Sequence, residues 1–147
     1  MAVAPAGKII DELRPLPVPN DVTRPFYEAC KQGRLDIRRC AKCGTFAHPP
    51  LPYCDICDSR EMKWETVSGK GTIYTYTRIH ANRTPAFDGA TPYAIVDVEL
   101  AEQPGLILTC NMAGTPFEKI QIGAPVEVTF IDIGDDIVIP DFKLAEG

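Results

Sequence analysis

Two pairs of cysteines offer the clearest chemistry in this sequence of 147 residues. The first pair is Cys40 and Cys43, the second is Cys54 and Cys57, and ten residues lie between the pairs. A two-residue spacer lets the chain turn tightly enough for both thiolates to reach one ion, and two such knuckles complete the tetrahedral sulfur shell that zinc prefers. Because four thiolates leave no open coordination position, the spacing predicts one structural zinc ion per chain.

Two other kinds of site use the same pairing. An iron site of the rubredoxin type favours proline and glycine in and after the second pair, where this sequence has Asp55 and Asp58. A redox C-x-x-C motif requires a thioredoxin-like β-α-β context, which the sequence does not show. Cysteines in a reducing compartment are more often metal ligands or core residues than disulfides. We therefore predict a rubredoxin-like zinc ribbon over residues 35–67.

A second group of reactive side chains lies in the loop after the first predicted barrel strand. His80, Arg83 and Phe87 fall between that strand and Pro92, and a long loop in a compact domain is often functional. The Arg83 guanidinium suits a phosphate, whereas His80 and Phe87 suit contact with a ligand or a partner protein. The alternative interpretation is a solvated loop.

The remaining candidates have simpler interpretations. Cys110 lies within a predicted strand with no histidine beside it, which favours a core cysteine over a nucleophile. His48 is not needed as a metal ligand because four cysteines complete the shell. A basic stretch around the first cysteine pair either contacts phosphate or forms a solvated face; it comprises Lys31, Arg34, Arg38, Arg39 and Lys42.

Composition restricts the class of protein. Hydrophobic residues make up 45% and charged residues 24% of the chain, as in ordinary globular proteins. The net charge of −5 and the pI near 5.0 argue against a dedicated nucleic-acid binder. No apolar run approaches the length of a membrane span, and the first residues do not resemble a secretory signal. We therefore expect a cytoplasmic protein.

Residues 1–34 are predicted to form an N-terminal arm and a short helix. Five prolines within residues 1–25 favour an extended conformation. We interpret this segment as an arm that lies on this protein or on a partner, and the alternative interpretation is a free tail. Thr23 is expected to cap the helix, Pro25 lies in its first turn, and Gly33 ends it.

Residues 68–147 are predicted to form a five-stranded OB-fold barrel, which makes the protein mainly β. A helical turn at residues 115–120 falls between the third and fourth strands, as in that fold. A fragment of a five-stranded sandwich would give a similar element order. The predicted strands, rich in β-branched and aromatic residues, are 72–81, 93–100, 106–112, 126–131 and 137–139.

The order of motifs resembles a known family. The cysteine pairs are followed by Trp64, by Ser-Gly-Lys-Gly-Thr at residues 68–72, and by Pro-Asp-Phe at residues 140–142. Over residues 20–143 the chain thus resembles the zinc-ribbon plus OB-fold proteins associated with acyl-CoA enzymes, long catalogued as a domain of unknown function. Asp55 stands where that family often has proline, and the ligand spacing is unchanged.

The resemblance implies a function that composition alone does not. Members of the family are typically small non-catalytic subunits of thiolase-like enzymes, related acyltransferases or aldolases, or hydratases acting on acyl-CoA. On that basis we expect an accessory subunit of an acyl-CoA-processing complex, whose partner supplies the catalytic groups. The four cysteines would hold zinc, and the arm and helix would dock on the partner. The barrel would face the passage for acyl-CoA, a ligand that the two subunits would share.

Two hypotheses from other classes stay open at this point. An OB-fold with a zinc ribbon can bind single-stranded nucleic acid, and Tyr74, Tyr76 and Phe87 would be the stacking rings. The acidic net charge and the acids Asp97 and Glu99 on the predicted barrel argue against it. A small independent enzyme is the other hypothesis, although no base and nucleophile stand together in the sequence.

Overall fold

The structure is a computed structural model that describes residues 15–146. Most of the predicted N-terminal arm, residues 1–14, lies outside the described residues. Within the described span the chain forms one α-helix, α1 (Arg24–Lys31), and eight strands in two antiparallel sheets. No helix in that span is long and apolar enough to cross a membrane.

The helix is amphipathic and buries one face against the barrel. Phe26, Ala29 and Cys30 are buried along that face. Thr23 is the N-cap residue as predicted, but its side chain does not cap the helix. Its hydroxyl instead accepts the N–H of Asn20 at 3.0 Å, so the two residues stabilise the turn before the helix rather than its first amides.

The zinc-ribbon sheet has three strands in the order β2-β1-β3, and the short β2 was not predicted. Gln103, from the barrel, completes the edge at β2: its Oε1 accepts the Phe46 N–H at 2.9 Å and its Nε2 donates to the Phe46 carbonyl at 3.1 Å. One amide side chain therefore joins the two sheets. The strands are β1 (Asp36–Cys40), β2 (Phe46–Ala47) and β3 (Met62–Thr66).

The second sheet has five strands in the order β6-β5-β4-β7-β8 and curls into a nearly closed barrel. A 3₁₀ turn at residues 117–119 lies between β6 and β7, where the helical turn was predicted. The predicted fold class, a mainly β chain with a zinc ribbon and an OB-fold barrel, is confirmed. The strands are β4 (Lys70–Ile79), β5 (Tyr93–Leu100), β6 (Ile107–Cys110), β7 (Pro125–Gly134) and β8 (Ile137–Leu144).

Two glycines explain the Ser-Gly-Lys-Gly junction between ribbon and barrel. Gly69 has a φ of +77°, and a Cβ there would lie 2.3 Å from a Val128 methyl carbon. A Cβ on Gly71 would lie 2.5 Å from the Glu99 carbonyl oxygen. The junction thus needs glycine for backbone conformation and for close approach of the strands.

One hydrophobic core runs through helix, ribbon and barrel. Phe26, Ile37 and Phe46 from the first part of the chain belong to the same buried cluster as Val96 and Phe142 from the barrel. The division into units at residues 1–34, 35–67 and 68–147 stays a prediction. A change in the ribbon is nevertheless expected to affect the barrel, because the two share this core.

Candidate metal centre and barrel-end pocket

The four cysteine sulfurs form a single cluster. All four Sγ atoms lie within 4.8 Å of one another. The Sγ atoms of Cys40 and Cys57 are 3.7 Å apart, and those of Cys43 and Cys54 are 3.6 Å apart. A Zn–S bond of about 2.3 Å gives a tetrahedral edge of about 3.8 Å, so the sulfurs fit a zinc ion held by both knuckles. The cysteines are thus arranged to hold a metal.

Hydrogen bonds favour the thiolate form at two of the four ligands. The N–H groups of Lys42 and Cys43 each donate to the Cys40 Sγ at 3.4 Å, and the Cys43 N–H is the main cause of the lowered pKa of the Cys40 thiol. The Thr45 hydroxyl, 3.2 Å from the Cys43 Sγ, lowers the pKa of Cys43 to about 6. At Cys57 the Ser59 N–H lowers the thiol pKa, but burial and the neighbouring cysteines outweigh it and raise that pKa to about 12. Metal ligands must be deprotonated, so the bonds at Cys40 and Cys43 assist binding.

The two cysteines outside the cluster are not available for chemistry. Burial raises the pKa of the Cys30 thiol to about 12. Burial, and then the Asp141 carboxylate, raise the pKa of Cys110. Thiols kept protonated in this way are poor nucleophiles.

Four of the five cations in the basic stretch make contacts within the chain, three of them with acids. Arg38 donates its Nε–H to the Leu51 carbonyl at 3.2 Å and lies over the Trp64 ring. The guanidinium keeps its charge but is held on this chain, which favours the solvated-face interpretation over a phosphate contact. Three of the other cations are ion-paired, namely Lys31 with Asp136 at 2.6 Å, Arg34 with Asp36 at 3.3 Å, and Arg39 with Glu65 at 2.6 Å.

A pocket of about 320 Å³ opens at one end of the barrel. The Arg78 guanidinium lines it and lies 4.5 Å from the centre of the Phe117 ring. Phe87 and Tyr93 add two further aromatic walls, and Glu118 lies at the lining as well. Among the carboxylates described in residues 15–87 and 89–146, none forms an ion pair with Arg78. The pocket therefore offers a cation beside flat apolar surfaces.

Only one of the three loop residues singled out from the sequence lines this pocket. Phe87 does, whereas His80 and Arg83 are exposed and lie outside the lining. The loop is fastened by Asn82, whose Nδ2 donates to the Tyr93 hydroxyl at 3.0 Å and whose Oδ1 accepts the Thr84 N–H at 3.0 Å. A contact of His80 or Arg83 with a ligand or partner stays a prediction.

One wall of the pocket depends on a buried carboxylate. Asp141 is 3% exposed. Its two oxygens accept the backbone N–H groups of Met112 at 2.8 Å and Ala113 at 2.9 Å, and both of those residues line the pocket. Asp141 thus holds in place the backbone of two residues that form one wall of the pocket.

A second, more open cavity of about 370 Å³ lies between the helix, the ribbon and the barrel. His48 lines it and packs its ring 5.5 Å from that of Phe26. Burial lowers the pKa of His48 to about 4, and its Nδ1 has no hydrogen-bond partner in the described chain. His48 is therefore a neutral packing residue at neutral pH, as the sequence suggested.

Comparison with known proteins identifies the family. A model described as "ChsH2, rubredoxin-like zinc ribbon domain" matches residues 28–63, and one described as "ChsH2, C-terminal OB-fold domain" matches residues 64–130. A DUF35 domain-containing scaffold protein of Methanocaldococcus jannaschii is 37% identical over an alignment of 106 residues, and the match covers 69% of this chain and 72% of that protein. The chain belongs to the DUF35 family. The resemblance stated from its motifs is confirmed.

Longer and structurally characterised relatives give this DUF35 chain a context. A probable enoyl-CoA hydratase alpha subunit of Thermomonospora curvata is 40% identical over 135 residues. That match covers 90% of this chain, which spans only 40% of the subunit's length. A solved structure described as "Ltp2-ChsH2(DUF35) aldolase" has a TM-score of 0.76 at 36% identity, covering 88% of this chain and 98% of that chain.

Proposed function

We propose that this chain is a non-catalytic accessory subunit of an acyl-CoA-processing complex. It binds a thiolase-like enzyme that forms or cleaves carbon–carbon bonds or transfers acyl groups, and it helps to hold or channel the CoA-linked substrate. The observation that carries the proposal is the structural likeness to a chain described as "Ltp2-ChsH2(DUF35) aldolase". The match covers 88% of this chain and 98% of that chain.

The chemistry of the chain supports a non-catalytic role. A closed shell of four thiolates leaves zinc no open position for substrate or water. The two remaining thiols, Cys30 and Cys110, are buried and protonated. Among the described residues no hydrogen bond joins a histidine to a thiol or hydroxyl that it would activate. The partner enzyme would therefore supply the nucleophile and the acid–base groups.

The barrel-end pocket is the place where this subunit would contact the shared substrate. Its rings suit the apolar part of an acyl-CoA, and the Arg78 guanidinium suits an anionic or carbonyl oxygen. The exposed His80 and Arg83 lie in the adjoining loop, where a longer ligand or the partner would reach them. The zinc ribbon contributes structure rather than a ligand contact in this proposal.

The proposal is tested by isolating the complex. The tagged chain, produced in its native host, is expected to co-purify with a thiolase-like or related acyl-CoA enzyme in a fixed stoichiometry, identified by mass spectrometry and size-exclusion chromatography. The tag alone serves as control. Interfaces of standard size stay assembled at a protein concentration of about 10 μM. Elution of the chain without any such enzyme at that concentration would contradict the proposal.

Replacement of Arg78 tests the substrate contact. In the assembled complex, Arg78→Met is expected to raise the KM for acyl-CoA about tenfold with a smaller change in kcat, because a charge-assisted hydrogen bond contributes about 1.5–3 kcal/mol. Lys70→Met is the matched control, since Lys70 is an exposed cation at the opposite end of the same strand, outside the pocket. Equal KM values for both variants would exclude the contact.

The structure gives the nucleic-acid hypothesis little support. Of the three candidate stacking rings only Tyr74 is exposed. Tyr76 packs edge-to-face on Phe117, with ring centres 5.7 Å apart, and Phe87 faces the barrel-end pocket. The rings therefore do not form the exposed row on which successive bases stack.

A further inference from the structure

The second zinc knuckle, residues 53–58, exposes two large apolar side chains. Tyr53 is 44% exposed and Ile56 is 68% exposed, and they lie on either side of Cys54. Large apolar side chains are expensive to leave in water, although single ones are common on surfaces. Two on one knuckle, within four residues of each other, call for a physical reason.

The fold itself does not supply that reason. The first knuckle has the same C-x-x-C geometry, and its inner positions are Ala41 and Lys42. The equivalent positions of the second knuckle are Asp55 and Ile56. A small residue and a lysine satisfy the turn in one knuckle, so the metal site does not require an exposed isoleucine in the other.

The apolar side chains stand in an anionic setting. Asp55 and Asp58 are exposed, and their carboxylates form no ion pair or hydrogen bond with the side chains described in residues 15–87 and 89–146. A zinc ion held by four thiolates adds a formal charge of about −2. The second knuckle therefore has an apolar centre and an acidic rim.

The backbone of the second knuckle is fixed before any partner binds. The Ile56 N–H donates to the Cys54 Sγ at 3.4 Å, and the Asp58 N–H donates to the Cys54 carbonyl at 3.0 Å. The Cys54 N–H in turn donates to the Ser59 carbonyl at 2.8 Å. A surface held in this way loses little conformational entropy on binding, which favours affinity.

We propose that the second knuckle is a docking face for the acyl-CoA enzyme, and that its occupant is an apolar depression on that enzyme rimmed by Lys or Arg side chains. The inference rests on the proposed function, because it takes the partner from there. Ile56 and Tyr53 would fill the depression, and Asp55 and Asp58 would meet the basic rim. Charge complementarity of this kind selects the partner and speeds association.

The test compares two isoleucines of equal exposure. Ile56 on the second knuckle and Ile122 on the barrel are each 68% exposed, so both Ile→Glu variants are expected to fold and to retain zinc. Binding to the purified partner enzyme is measured by calorimetry or surface plasmon resonance. Ile56→Glu is expected to weaken Kd at least tenfold, as for a side chain central to an interface, whereas Ile122→Glu stays within about threefold of wild type.

A charge variant tests the acidic rim separately. Asp55→Asn combined with Asp58→Asn is expected to slow association at low ionic strength and to flatten its salt dependence, with little effect on dissociation. Wild-type affinity for Ile56→Glu, or equal losses for both isoleucine variants, would overturn the docking face while leaving the accessory-subunit proposal intact. If the free chain self-associates and Ile56→Glu abolishes that self-association, the occupant is a second copy of this chain. That result would also overturn the proposed docking of the acyl-CoA enzyme. Failure of the wild-type chain to bind would overturn both.

Discussion

Cys54→Ser is expected to abolish zinc binding and to unfold the ribbon. Cys54 is buried, and its Sγ lies 3.6 Å from that of Cys43 in the four-sulfur cluster. A serine hydroxyl does not supply the thiolate, and an incomplete shell binds zinc weakly. The ribbon sheet has only three short strands, so zinc binding is expected to supply much of its stability. Apparent binding energies of structural zinc are about 10–16 kcal/mol in small units that fold around the metal.

The measurement is the zinc content of the purified chain together with amide exchange across the ribbon. Wild type should hold one zinc per chain, and Cys54→Ser should hold close to none, with loss of exchange protection in β1 and β3. Cys30→Ala is the matched control, because Cys30 is an equally buried cysteine outside the cluster. Retention of a full zinc equivalent by Cys54→Ser, or an iron ion in place of zinc in the wild type, would contradict the zinc-ribbon assignment.

Asp141→Ala is expected to destabilise the barrel by about 3 kcal/mol. Removing the carboxylate leaves the N–H groups of Met112 and Ala113 without acceptors in a buried site. Each unsatisfied buried donor costs about 1–3 kcal/mol, and hydrogen bonds to charged groups are the stronger kind. The same change frees the pocket wall that these two residues form, so weaker substrate contact should accompany the loss of stability.

Thermal or urea unfolding measures this effect. Asp141→Ala should lower Tm by about 10 °C, and Asp141→Asn should fall between it and wild type because it retains one acceptor oxygen. The control is Asp132→Ala: Asp132 also accepts a backbone N–H, that of Gly134 at 2.9 Å, but at an exposed irregularity of β7. If the Asp141 and Asp132 variants lost equal stability, the buried carboxylate would have no special role in the barrel.

The zinc ribbon was predictable because its chemistry is local. Two C-x-x-C pairs ten residues apart indicate the ligand set whatever the surrounding sequence, and runs rich in β-branched and aromatic residues predicted the barrel strands. β2 was missed because two residues, Phe46 and Ala47, carry no periodicity. Its pairing depends on β1 and on Gln103, which is distant in sequence.

The pocket was not predictable because it depends on a bulge. In β4 the pairing with β5 shifts between Ile73 and Thr75, so Tyr74 is the extra residue. Beyond the bulge, Arg78 pairs with the buried Ala94 and therefore lies on the inner face of the sheet. A regular alternation from Ile73 would have placed this arginine outside. The sequence directed attention to Arg83 instead, which is exposed.

Under the proposed function, this chain serves a partner enzyme and has no reaction of its own. The most direct measurement is the steady-state rate of the purified acyl-CoA enzyme, with and without a stoichiometric amount of the zinc-loaded chain. We expect the chain alone to be inactive and the enzyme to reach full kcat/KM only in the complex. Full activity of the enzyme alone, unchanged by the added chain and without co-elution, would contradict it.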